Sequence, residues 1–210
     1  MRKIVIASDS YKGCLSSSEV AWAMSKGIAE VYPDCQIVKL AVADGGEGTV
    51  EALVDTLGGH MEWAEVSDPL GRPVKAAYGV AGDLAIIESA AACGLTLLKR
   101  EERNPLLTST KGLGELILAA IRKRCRRFII GLGGSATNDG GMGMISAEGF
   151  LEKARGLEFT VACDVDTPYI GENGASRVFG PQKGASPEDV EILEDRLRGY
   201  ASKIIEDTGI

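Results

Sequence analysis

Four times along this chain an apolar, β-branched run gives way to a polar cluster bearing carboxylate or hydroxyl residues, three of the four also rich in glycine. Lys3–Ala7 leads into Asp9, Ser10, Tyr11, Lys12 and Gly13. Gln36–Val42 leads into Asp44, Gly45, Gly46, Glu47, Gly48 and Thr49. Phe128–Ile130 leads into Gly131–Gly143, and Phe159–Cys163 into Asp164, Val165 and Asp166. Each run reads as a strand that must stop and turn where its cluster begins. Glycine frees the backbone to approach a ligand, and ligands of α/β proteins gather at the carboxyl ends of strands. Glycine, carboxylate and hydroxyl together are what a phosphate–Mg²⁺ site needs. A single cluster such as Asp44-Gly45-Gly46 reads more readily as a turn than as a site, and only the repetition at four strand ends brings the two readings level. Gly131–Gly143 is the strongest candidate, because it is longer than a simple turn requires.

The intervening patterns fill in the fold. Ser16 and Glu19 make a capping box, and Val20, Met24 and Ile28 then recur every fourth residue as on one helix face. A short helix is predicted over Thr49–Leu57. This β-loop-α-β-loop-α opening predicts parallel pairing with Lys3–Ala7 as a buried strand. Met61–Val66, Val74–Val80 and Leu84–Glu88, separated by turns at Asp68–Arg72 and Gly82-Asp83, read instead as an antiparallel meander. Leu113, Leu116, Ile117, Ala120 and Ile121 mark an amphipathic helix. Ser186 before Pro187, Glu188 and Asp189 caps a last helix lined by Val190, Leu193, Leu197 and Ile204. The expected fold class is α/β, with two lobes: a Rossmann-like parallel lobe opening over residues 1–60, and a mixed-sheet lobe over 61–210.

Composition narrows the function. Lysine and arginine number 23 against 30 aspartate and glutamate, a net charge of −7, which disfavours a nucleic-acid partner. One histidine, His60, leaves no His-rich zinc site within the chain, and proton transfer falls more readily to Asp, Glu or Lys. The five cysteines are widely spaced with no C-x-x-C, as expected of reduced thiols in a cytoplasmic protein. No run has the length of a membrane span or the form of a signal peptide. Cys163 is expected to be a core thiol at a strand end, and His60 a surface or turn residue. The basic residues Lys111, Arg122, Lys123, Arg124, Arg126 and Arg127 are expected to complement a helix end in water. Gly131-x-Gly133-x-x-Ala136 matches the dinucleotide fingerprint in letters, but no helix pattern begins at Gly134, and no Walker A loop occurs.

Several stretches carry a family resemblance. Ile4-Val-Ile-Ala-Ser-Asp-Ser-Tyr-Lys-Gly, Val42-Ala-Asp-Gly-Gly-Glu-Gly-Thr-Val, Asn104-Pro-Leu-Leu-Thr, Gly114-Glu-Leu-Ile, Gly133-Gly-Ser-Ala-Thr-Asn-Asp-Gly-Gly, Ala162-Cys-Asp-Val and Asn173-Gly-Ala-Ser-Arg-Val-Phe-Gly-Pro-Gln-Lys-Gly-Ala run colinearly through the chain. In these it resembles the bacterial glycerate kinases of glycerate 2-kinase type. The resemblance implies ATP-dependent, Mg²⁺-assisted phosphorylation of D-glycerate on two α/β lobes facing a cleft. It departs from the family at Ser8, where proline is usual. It also departs at Phe150–Gly156, which joins regions that a longer segment separates in the family, and at Ile210, where the family continues. A truncated relative that binds nucleotide or acid without turnover is the alternative, and a nicotinamide oxidoreductase a third reading.

Roles follow from the chemistry of phosphoryl transfer, which needs charge neutralisation and alignment. Gly133, Gly134, Ser135, Thr137, Asn138 and Lys183 are expected at the ATP phosphates, with a solvated loop lysine as the competing reading of Lys183. Asp139 and Asp164 are expected to hold Mg²⁺ or its waters. Asp44 is the preferred general base, with Asp9 second. Ser10, Lys12, Arg72 and Glu47 are expected to bind the substrate. No nucleic-acid or membrane partner is expected, and homo-oligomerisation stays open.

Overall fold

A computed structural model describes residues 3–8, 11, 14–15, 17–41 and 48–209. Strand β1 (Lys3–Ser8), helix α1 (Ser17–Val31) and strand β2 (Gln36–Ala41) form a unit in which β2 pairs parallel to β1, Val5 opposite Val38. The parallel pairing agrees with the opening pattern. Burial of β1 on both faces does not follow: Ile6 is buried, but Val5 on the other face is 52% exposed. Among the described residues β1 has one strand partner, β2, and one helix, α1, packed on it, so a single face finds cover. For the same reason α1 buries Val20 while Met24 is exposed.

Helix α2 (Thr49–Leu57) is followed by the meander β3 (His60–Ser67), β4 (Pro73–Ala81) and β5 (Leu84–Glu88). The chain then runs through the short helix α3 (Ala90–Cys93) and helix α4 (Lys111–Arg122) to β6 (Arg127–Gly131). After the short helices α5 (Met142–Ile145) and α6 (Phe150–Lys153) come β7 (Glu158–Ala162), α7 (Ala175–Phe179) and α8 (Pro187–Thr208). The sheet order is β3-β4-β5-β6-β7, antiparallel from β3 to β5 and parallel from β5 to β7. The fold is therefore α/β, with a two-stranded parallel sheet and a five-stranded mixed sheet.

The core lies between the mixed sheet and α4. Leu113, Leu116, Ile117 and Ala120 turn inward at helical spacing onto Tyr78, Ile87 and Phe128, all at most 4% exposed. Phe128 stacks on Phe159 with ring centres 4.8 Å apart. On the opposite face, Val50 and Val54 of α2 pack on Ile86. Gly79 makes that approach close: a Cβ there would sit 2.3 Å from Val54 Cγ2. At the start of α8, Ser186 Oγ accepts from the Asp189 N–H and Asp189 returns the bond, as its sequence predicts. Val190, Leu193 and Leu197 are buried, but Ile204, expected on the same face, is 43% exposed. Cys163 is exposed rather than a core thiol, because it follows β7, the outer strand of the sheet. His60 is at the surface beside Glu62, and Lys123 and Arg127 make surface ion pairs with Glu62 and Asp83. No helix among the described residues is long and apolar enough to cross a membrane.

Candidate active site

The site starts from strand register. Glu88, Gly131 and Ala162 end β5, β6 and β7, and they pair side by side across the parallel ladder. The clusters that follow these strands therefore leave one edge of the sheet together. Ser89 N–H donates to Gly131 O at 2.8 Å, and Leu132 N–H to Ala162 O at 3.2 Å, extending the ladder past the strand ends.

The glycine loop after β6 has an open arc and a buried foot. Gly133 and Ser135 are half-buried and Gly134 is exposed, whereas Thr137 and Asn138 are buried. The arc is tied to the segment after β5: Leu95 N–H donates to Gly134 O and Ala136 N–H to Cys93 O. The foot is held from the chain's last third. Asn138 Nδ2 donates to Ser176 Oγ at 2.9 Å. Lys183 is buried, and its ammonium donates to Ser135 Oγ at 3.0 Å and to Thr137 O. Lys183 is thus no solvated loop lysine. Burial pushes its pKa down to about 8, against the pull of the Asp139 carboxylate. Gly140, at φ 59°, lets Tyr169 approach: a Cβ there would lie 2.0 Å from the Tyr169 hydroxyl.

Asp139 anchors the same loop to the start of α4. Its Oδ2 accepts from Thr110 N–H (2.8 Å), Thr110 Oγ1 (2.8 Å) and Gly143 N–H (3.0 Å), and its Oδ1 from Gly141 N–H (3.2 Å). A Mg²⁺ in a kinase site takes one or two carboxylates along with phosphate oxygens and water. Oδ2 of Asp139 is fully engaged, so only Oδ1 is open to such an ion. Asp164 is exposed on the loop after β7. Among the described residues no three His, Cys, Asp or Glu side chains cluster as a metal cage.

Arg72 is held elsewhere. Its Nε donates to Asp68 at 2.6 Å and its NH1 to Glu102 at 2.7 Å. Asp68 is buried in the β3–β4 turn and also accepts from the N–H groups of Leu70 and Arg72. A groove of about 940 Å³ is lined by Glu65, Lys111, Glu115, Arg122, Glu148 and Lys153 among others. None of the expected site residues lines it. Asp9, Ser10, Lys12, Asp44 and Glu47 lie outside the described residues.

One site residue escaped the sequence reading. Glu88 is the last residue of β5, and its Oε1 accepts from Val50 N–H, in the first turn of α2, at 3.1 Å. Val50 comes six residues after Asp44 in the chain. Glu88 and Ser89 form a fifth polar strand end, and the rule that found the other four finds it too once β5 is seen to run parallel to β6.

Comparison with known proteins places the chain. The model of the glycerate kinase family matches residues 4–154 and 148–210. The chain belongs to the glycerate kinase family. Among its relatives, the glycerate 2-kinase of Escherichia coli is 48% identical over 232 residues, covering 96% of this chain and 61% of that protein. The glycerate kinase of Bacillus subtilis is 44% identical, covering 95% and 60%. A crystal structure assigned as glycerate kinase 2 of Salmonella typhimurium LT2 superposes with a TM-score of 0.89 at 45% identity, covering all of this chain and 65% of that one. The chain thus spans about three fifths of the length of the curated relatives it matches. The shortfall is partly internal. The Halalkalibacterium halodurans glycerate kinase aligns over 239 positions with the whole of this 210-residue chain, leaving 29 without a counterpart. The two family matches overlap at residues 148–154, at the short junction that the sequence shows over Phe150–Gly156.

Proposed function

We propose that the protein transfers the γ-phosphoryl group of ATP to D-glycerate with Mg²⁺, giving 2-phosphoglycerate. The observation that carries this is the shared sheet edge: the glycine loop, the Asp164 loop and Glu88 leave adjacent parallel strands, and Glu88 is bonded to the helix that follows the Asp44 cluster. Family membership and the names of the relatives supply the reaction.

The open arc Gly133–Ser135 offers backbone N–H groups and a hydroxyl to phosphate oxygens. Lys183 spends two of its three N–H bonds on the loop and turns a positive charge toward it, so it organises the arc and contributes attraction to the polyphosphate. Thr137 and Asn138 shape the loop from below. Asp164, with Asp139 Oδ1 second, would hold Mg²⁺, which would neutralise charge on the phosphates. Asp44 takes the proton of the attacking glycerate hydroxyl, with Asp9 as its substitute. Ser10, Lys12 and Glu47 bind the acid. Arg72 joins them only where the glycerate carboxylate displaces Glu102 from its guanidinium. The division into two lobes near residue 60, and the cytoplasm as compartment, are part of the same proposal.

An assay coupling ADP release to D-glycerate, with the product's phosphate position read by ³¹P NMR, tests it. Formation of 2-phosphoglycerate is the expected result, and formation of the 3-isomer would reject the regiochemistry alone. The second reading is a binding protein without turnover. Calorimetric binding of Mg²⁺-ATP with no ADP formed would establish that reading instead.

A further inference from the structure

Helix α2 starts without a cap of its own. Its N-cap is Gly48, at φ 92°, which has no side chain to accept the helix's free N–H groups. The missing acceptor arrives from 38 residues away: Glu88 Oε1 takes the Val50 N–H. Burial raises the Glu88 pKa above the usual carboxylate value, and the amides of Val50, Thr49 and Gly48 oppose that rise without cancelling it. A negative charge at this end also complements the helix dipole. Glu88 is itself fixed, because it pairs with Gly131 in the ladder and Ser89 N–H donates to Gly131 O. The body of α2 is set by Val50 and Val54 on Ile86. One carboxylate therefore joins the point where the chain emerges from the Asp44–Glu47 cluster to the first residue of the glycine loop.

We propose that Glu88 is a positioning residue that holds the amino end of α2, and with it the attachment of the acid-side cluster, in register with the phosphate-side loop. It acts by accepting backbone hydrogen bonds and need not touch either substrate. The inference rests on the glycerate kinase reading for its kinetic consequence but not for its structural one.

Three variants test it. Glu88→Ala removes the acceptor, Glu88→Asp withdraws it by one methylene, and Glu88→Gln keeps it without the charge. Misplacing a reacting group by about an ångström can cost on the order of 100-fold. Glu88→Ala and Glu88→Asp are expected to lower kcat by about 10- to 100-fold and to raise the KM for D-glycerate, with the KM for ATP within about twofold, while Glu88→Gln recovers most of the loss. Unchanged kinetics in Glu88→Asp, or Glu88→Gln as impaired as Glu88→Ala, would overturn the proposal. Hydrogen exchange of residues 48–54, measured in the same proteins, separates it from the functional reading. With no turnover in the wild type, faster exchange there in Glu88→Asp but not in Glu88→Gln would still support the clamp. Equal exchange in all variants would reject it.

Discussion

Lys183 and Asp68 are ionisable groups that the fold treats in opposite ways. Burial lowers Lys183 to about 8 from 10.5, so the folded chain disfavours its charge. Below pH 8 that penalty is present in full. It is relieved as pH rises from about 8 to 10.5, where the unfolded chain still holds the proton that the folded chain has lost. Chemical unfolding of wild type and Lys183→Met should therefore show the wild type gaining about 3 kcal/mol relative to the variant across that interval. A pH-independent difference would show that Lys183 titrates normally. Asp68 is the reverse case. Burial opposes its charge, but the Arg72 and Leu70 hydrogen bonds outweigh this and hold its pKa below the usual carboxylate value. Its stabilisation is complete at neutral pH and is lost as pH falls through the depressed pKa. Asp68→Asn should cost about 2 kcal/mol at pH 7 and less in acid, measured by urea unfolding. At this scale the sequence was a fair guide to residue type and a poor one to partners. Lys183 and Asp139 stand out as polar residues in glycine-rich strings, but their bonds to Thr137 and Thr110 cross 46 and 29 residues, which no local pattern reports.

Elements were legible where one periodicity dominated. The stripe of α4 and the Ser186 cap of α8 are local signals, and both elements form where their residues predict. Burial was less legible in the opening unit. An apolar run such as Lys3–Ala7 reads the same whether covered on one face or two, and the answer depends on how many elements pack around it. Glu88 was missed because it looks like the polar end of a strand. Its meaning lies in the docking of α2 onto β4 and β5. That docking yields an element-scale prediction. Gly79→Val would drive a side chain into Val54 and shift α2, costing about 1–3 kcal/mol by thermal unfolding. The shift should also lower activity by more than the stability loss explains, because it moves the clamp at Val50. Full activity in a folded Gly79→Val protein would contradict this.

For the whole molecule, the family relation and the geometry are separate lines of support: the first bears on the family, the second on where a site would lie. The relation rests on 44–48% identity to curated glycerate kinases, and the geometry on strand register alone. The groove of about 940 Å³ beside Glu115 and Lys153 gathers none of the expected site residues. Part of its lining, Glu148, Gly149, Glu152 and Lys153, falls where the family model's two matches overlap. The central claim is that ligands bind at the carboxyl edge and not in that groove. Hydrogen exchange with and without Mg²⁺-ADP and D-glycerate tests it most directly. Protection should appear together in residues 44–52, 131–141 and 162–168, with the groove residues of α4 and α6 unchanged. Protection confined to the groove, or found in only one of the three segments, would contradict the account.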